Sequence, residues 1–185
     1  MPYLDQALAA GHAEIAGTGK AARITYKAIG RSERYADPEE RVRAEFWAEL
    51  IHRYGYAPQC IGVEITVPDR TPKDAADLVV FRDAERKKPF AVVECKRDGV
   101  SDAEFAQAVE QACGNGTWAK FRAVYVGVVA GGTRRFLDFT ERYGVLEREA
   151  NVVADLPREY GKPLEWKYKK GAGPDGISAA SPKGN

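Results

Sequence analysis

Histidine and cysteine are scarce in this chain, and the scarcity excludes several chemistries. Of 185 residues only two are histidine, His12 and His52. A histidine-based zinc site or a Ser-His-Asp triad has little to work with. The three cysteines, Cys60, Cys95 and Cys113, are odd in number and include no CxxC pair. Neither a disulfide framework nor a zinc knuckle fits, and a reducing cytoplasm is the expected compartment. Excess charge of one sign is also missing: 28 Lys and Arg stand against 27 Asp and Glu, a net +1. That balance excludes a histone-like coat of positive charge and leaves room for a local basic groove. No apolar run approaches the roughly 18 residues of a membrane span. The first residues, Met-Pro-Tyr-Leu-Asp-Gln, lack the basic start and apolar stretch of a secretory signal.

What is present reads as an ordinary globule, 44% hydrophobic and 30% charged. Residues 1–21 are Ala-rich and read as a helical lead-in ending near Gly17-Thr18-Gly19. Gly17-Thr18-Gly19-Lys20 is not a phosphate loop, because Glu14 and Ala21 stand where that motif needs Gly and Ser or Thr. Residues 22–27 form a short strand candidate. Asp37-Pro38-Glu39-Glu40 opens a strong helix running to about Gly55. Asp37 is its N-cap, Pro38 suits the first position, and Glu40 closes a capping box. Ile61, Val63, Ile65 and Val67 alternate with strand period. Residues 76–82 and 90–96 are apolar runs around the polar loop 83–88, which predicts a hairpin. Ser101 and Glu104 form a second capping box opening a helix to about Cys113, with Gly114–Gly116 ending it. Strands are expected at 122–129 and 135–139, with Gly131-Gly132 as the turn. From Pro157 the chain turns to Pro, Gly and Lys, with six basic residues against three acids in 157–185. The expected division is a domain over 1–156 and a basic Gly/Pro-rich tail or linker over 157–185.

The hairpin carries the chemistry. With the loop symmetric about residues 85 and 86, Phe81 faces Phe90, Val79 faces Val92, and Asp77 faces Glu94. Opposed residues share a sheet face with Cβ atoms about 4.5–5.5 Å apart. Two carboxylates so placed repel unless a cation compensates, and Mg²⁺ takes such hard oxygen ligands. Lys96 lies two residues beyond Glu94 and projects to the same face, while Cys95 points to the other. Asp, Glu and Lys on one patch are the toolkit of a metal-assisted hydrolase. Lys96 beside two carboxylates stays protonated, so it is cast as an electrostatic stabiliser and not the resting base. The plain alternative is a surface salt bridge. The flanking runs, apolar on both faces, argue instead for a covered sheet.

Asp77, then sixteen residues, then Glu94-Cys95-Lys96 resembles the PD-(D/E)XK nuclease signature, with Ala76 in place of its Pro. Residues 37–43, the aromatic helix, Tyr54-Gly55-Tyr56, strand 61–67 and the hairpin together resemble the N-terminal nuclease domain of type I restriction enzyme R subunits. Phe105-Ala106-Gln107 is similar to that family's glutamine motif, and the resemblance covers roughly 22–140. It implies an α/β fold with a mixed central β-sheet flanked by helices. It implies an Mg²⁺-dependent endonuclease, with Mn²⁺ as a substitute, cutting DNA within a restriction system. By the same resemblance Asp77, Glu94 and the Cys95 backbone carbonyl hold the metal, with an added acid from the first helix. Val42, Phe46, Trp47, Leu50, Ile51 and Tyr54 span about half a helical wheel. Glu40 falls inside that arc, and Glu45 and Glu49 fall outside it. Glu40 is therefore the preferred helix acid, with Glu39 near the arc as the other candidate.

The sequence departs from the family where Gln111 replaces a Tyr four residues after Gln107, and where Gly131-Gly132 replaces an Asn-Gly turn. Gln107 and Gln111 share one helix edge, away from Phe105 and Val109. Arg82, Arg86, Lys87, Lys88, Arg97, Lys120, Arg134 and Arg135 are candidate phosphate contacts, each better read as a solvated charge. No base-reading helix is evident. The expected partners are DNA and the motor, specificity or methyltransferase parts of a restriction complex, with this chain a module of a larger protein. Two other readings stay open: a catalytically idle docking or DNA-tethering module, and a stand-alone repair or resolvase-type nuclease.

Overall fold

The computed structural model describes residues 1–69, 74–118, 121–139 and 151–160. The lead-in helix α1 spans only Pro2–Ala9. The predicted helix over 1–21 is thus too long: Gly11 adopts a left-handed φ of 73°, and the chain turns into strand β1 (Ala13–Ala16). β1 pairs with β2 (Arg23–Tyr26), which pairs with β3 (Arg31–Glu33), in a small antiparallel sheet. Helix α2 covers Pro38–His52, and the Asp37 side chain caps it by accepting the Glu39 N–H at 3.0 Å.

The main sheet has six strands in the order β4 (Ile61–Thr66), β5 (Ala75–Phe81), β6 (Pro89–Lys96), β7 (Tyr125–Ala130), β8 (Thr133–Asp138) and β9 (Val152–Val153). Neighbours are antiparallel except β6 and β7, which are parallel. Helix α3 (Asp102–Thr117) makes their crossover, as a parallel pair requires. Its capping box is formed by Ser101 and Glu104. The expected stop at Gly114–Gly116 does not occur. The helix continues because Gly116 lets it lie against the sheet: a Cβ there would meet Val126 at 2.6 Å and Val92 at 3.4 Å.

The two long helices lie on opposite faces of this mixed sheet. Gly116 of α3 rests over Val92, whereas Phe46 of α2 stacks on Phe136, 6.1 Å between ring centroids. Phe136 pairs with Gly127, which in turn pairs with Val93. Val92 and Val93 point to opposite faces. The architecture is α/β and compatible with a restriction-endonuclease-like core. Both faces of β5 and β6 are covered, and Leu78, Val79, Val80, Ala91, Val92 and Val93 are fully buried.

Candidate active site

Asp77 and Glu94 meet because the hairpin register holds where it matters. Leu78 pairs with Val93 and Val79 with Val92, which leaves Asp77 opposite Glu94. Nearer the loop the register shifts: Phe81 pairs with Pro89, not Phe90, through an irregularity after Val80. The bulge absorbs a loop residue that the symmetric reading did not foresee, and it lies beyond the acids. Asp77 and Glu94 are 8% and 2% exposed. Asp77 Oδ2 accepts the Cys95 N–H at 2.7 Å. Glu94 Oε2 is buried and receives no N–H hydrogen bond among the described residues. Burial, then the charge of Asp77, pushes the Glu94 carboxyl well above the ordinary range. Burial also raises Asp77, against the lowering influence of Arg43 and the Cys95 N–H. Cys95 itself is buried in the core on the α2 face, as the strand period requires.

Lys96 is half-buried at the end of β6. Its Nζ lies 3.0 Å from Glu39 Oε1 and 3.7 Å from Glu94 Oε1. Burial opposes its charge, but the bond to Glu39 and the fields of Glu94 and Asp77 outweigh it and raise the ammonium pKa. Lys96 opens onto a cleft of about 370 Å³ lined also by Glu39, Arg97, Glu104, Gln107 and Gln111. The shared edge of Gln107 and Gln111 therefore faces this cleft, with Gln107 exposed at its lip.

The two helix acids reach this region differently. Glu40 turns inward, 3% exposed, and accepts the Tyr26 hydroxyl at 2.5 Å. It does not close a capping box, because its carboxylate is drawn inward to Tyr26 and to Arg43 Nη1 at 3.3 Å. Burial pushes its carboxyl up to about 7, against the lowering effects of Arg43 and Tyr26. Glu39 stays at the cleft beside Lys96. The wheel erred on Glu49, which is 2% exposed and bound by Arg53 at 2.5 Å and Arg134 at 2.7 Å. A buried ion-paired carboxylate leaves no apolar mark on a wheel.

Two residues escaped the sequence reading. Arg43, 8% exposed, places Nη1 2.6 Å from Glu64 Oε1 and Nη2 3.2 Å from Asp77 Oδ1. Burial opposes its charge, and Asp77, Glu40 and Glu64 together raise its pKa nonetheless. Glu64 lies opposite Asp77, between the pairs Val63–Leu78 and Ile65–Ala76. Extending the register argument from β6 to β4 would have found it. Three carboxylates, Glu64, Asp77 and Glu94, thus sit in a row across three strands.

The candidate phosphate contacts scatter. Arg82, Arg86, Lys87 and Lys88 are at the hairpin tip, at the opposite end of β5 and β6 from Asp77 and Glu94. Arg82 lies over the Phe90 ring, 4.3 Å from its centroid. Arg134 is committed to Glu49. Arg135 lies across from Val128 in the β7–β8 ladder. Only Arg97 lines the cleft, paired with Glu104 at 3.1 Å. Lys120 lies outside the described residues.

Among the described residues no three His, Cys, Asp or Glu side chains stand as a ready-made metal cage, and no helix is long and apolar enough to cross a membrane. A comparison with curated proteins finds no match. The sequence model of the type I restriction enzyme R protein N terminus (HSDR_N) matches residues 38–132, just over half of the chain. The match runs from the first residue of α2 to the turn after β7, and so spans every acid and cation of the cleft. With that span and the α/β core beneath it, the chain belongs to the family of type I restriction enzyme R protein N termini.

Proposed function

We propose that this domain is an Mg²⁺-dependent endonuclease that hydrolyses DNA phosphodiester bonds within a restriction complex. The observation that carries the reading is the opposed, buried pair Asp77 and Glu94, with no N–H donor on Glu94 Oε2 among the described residues. A buried carboxylate oxygen without a partner is costly, and a divalent cation is a fitting one. Asp77, Glu94 and the Cys95 carbonyl would hold it, with Glu40 or Glu39 as the further acid. When bound, the cation supplies an acidified water and neutralises charge on the phosphate. The chain's own groups do the rest. Lys96 keeps its proton and offers it to the oxygen where charge develops, and Gln107 orients the strand from the cleft lip.

One observation favours the idle docking or tethering module: Arg43 already occupies Asp77 Oδ1. A single pair of measurements separates the readings. Calorimetric titration with Mn²⁺ should show binding in the wild type and none in Asp77→Ala. In the assembled restriction complex, Lys96→Ala should bind Mn²⁺ but nick supercoiled DNA slower by about 10²–10³, the usual loss for a preorganised donor. Equal Mn²⁺ binding in wild type and Asp77→Ala, or nicking by Lys96→Ala at the wild-type rate, would leave the docking module as the better reading.

A further inference from the structure

We infer that Arg43 is a resident counter-cation that competes with the divalent metal for Asp77, and that Glu64 anchors it there. The inference rests on the metal-site reading above and adds a positioning residue to it. Both oxygens of Asp77 are engaged: Oδ2 by the Cys95 N–H and Oδ1 by Arg43 Nη2. A cation that takes Oδ1 must therefore displace a guanidinium.

The guanidinium fork is divided in a way that allows the exchange. Nη2 lies 3.2 Å from Asp77, while Nη1 lies 2.6 Å from Glu64 and 3.3 Å from Glu40, as ion pairs in which Nη1 lacks the alignment of a hydrogen bond. Releasing Asp77 leaves Arg43 paired with Glu64, with Glu40 beside it, so its charge need not return to water. Arginine suits the place because its rigid planar fork presents two nitrogens to acids on different elements, a geometry that the compact ammonium of lysine does not reproduce. Here they come from α2, β4 and β5.

The backbone independently marks Glu64. It holds a left-handed φ of 53° inside β4, a conformation that non-glycine residues adopt rarely and at a cost. Flanking residues keep their pairs, Val63 with Leu78 and Ile65 with Ala76. Within β4 the irregularity is confined to Glu64, whose carboxylate contacts Arg43.

The test uses the full chain, with Mn²⁺ as probe, by calorimetric titration and by thermal unfolding with and without the ion. Arg43→Met should unfold at a lower temperature without metal, because the buried Asp77 and Glu40 and the partly exposed Glu64 lose their counter-ion. It should bind Mn²⁺ about tenfold tighter, because a like charge beside the site has gone. A purely architectural arginine would lower the midpoint and leave Mn²⁺ affinity equal or weaker; that result overturns the inference. Should Arg43→Met fail to fold, Arg43→Lys keeps the charge but loses the rigid fork, and should bind Mn²⁺ about threefold tighter than wild type. Unchanged or weaker binding in that variant is equally fatal. Glu64→Gln should weaken Mn²⁺ binding by freeing Arg43 to lean on Asp77, and most of that loss should vanish in the Arg43→Met background. An equal loss in both backgrounds would make Glu64 a direct ligand and overturn its anchoring role. If wild type binds Mn²⁺ and Asp77→Ala does not, yet Arg43→Met fails to tighten binding, only the Arg43 inference fails. Equal binding in wild type and Asp77→Ala removes the metal site and this inference with it.

Discussion

Glu40 lies under the Tyr26 hydroxyl with a carboxyl pushed up to about 7 by burial. Its unfolded value is about 4.3. Between these two values the folded chain keeps a proton that the unfolded chain has lost. The stabilisation from this group is therefore full below about 4.3 and is lost as pH rises through about 7. The metal-free chain should accordingly show a falling thermal midpoint as pH climbs through this window. Glu40→Gln mimics the protonated form, keeps the Tyr26 contact and should flatten the slope in part. Asp77 and Glu94, also raised by burial, act in the same direction and leave a residual slope. His52, lowered by burial and by His12, acts oppositely but equally in both proteins. A slope unchanged by Glu40→Gln would show that Glu40 carries its charge in the fold.

At the scale of the element, helix ends and contact faces depend on partners that lie far away in sequence. The first turn of α1 has no side-chain cap of its own. Glu45 of α2 supplies one instead, accepting the N–H groups of Tyr3 and Leu4 at 3.2 and 3.0 Å. This placement settles what Glu45 does: it secures α1 to α2 and points away from the cleft. α3 shows the same dependence. Its contact with the sheet requires a hydrogen at Gly116, because a Cβ would meet Val126 at 2.6 Å. Gly116→Ala gains helix propensity, yet forced overpacking costs about 1–3 kcal/mol. Chemical denaturation should show a net loss of stability, with the cleft edge of α3 displaced. A gain in stability would mean that α3 can lift from Val92 and Val126 without penalty.

For the whole molecule, the segment 151–160 closes the structure from the side of the sheet farthest from β4. β9 pairs with β8, and Leu156 is buried in the main core. Asp155 accepts from Arg53 at 2.5 Å and from the Tyr54 hydroxyl. Arg53 also binds Glu49, which Arg134 of β8 grips as well. One network thus joins the end of α2, the last long strand and the closing segment. The Tyr56 hydroxyl reaches the Pro157 carbonyl at 2.5 Å, and Tyr160 packs 5.1 Å from the Tyr56 ring. Asp155→Ala removes a half-buried acceptor of three donors, Arg53, the Tyr54 hydroxyl and the Leu156 N–H, and should cost about 1–3 kcal/mol. The loss should appear as a lower thermal midpoint, with Mn²⁺ affinity unchanged because the network lies away from Asp77. An unchanged midpoint would assign the closure to apolar contacts of Leu156 and Tyr160 alone.

The sequence alone determined whatever follows from short-range periodicity. The two-residue strand period put Glu94 and Lys96 on one face, and the hairpin register read from the loop placed Asp77 opposite Glu94. Local capping chemistry placed the starts of α2 and α3, since Asp37 and Ser101 bond within their own first turns. The inward turn of Glu40 followed from its position one turn before the apolar stripe. Only the tertiary structure decided what surrounds those residues. Arg43 neutralises Asp77 because α2 crosses the sheet over β6 with β5 beside it, a placement no spacing encodes. Glu64 reaches it through a left-handed backbone inside a strand whose pattern reads as regular. Glu49 is buried because two arginines, one of them 85 residues away, compensate its charge. α3 runs through its glycines because the sheet beneath has room only for a hydrogen. In each case the deciding energy is a contact between distant segments, and such a contact exists only after the chain has folded.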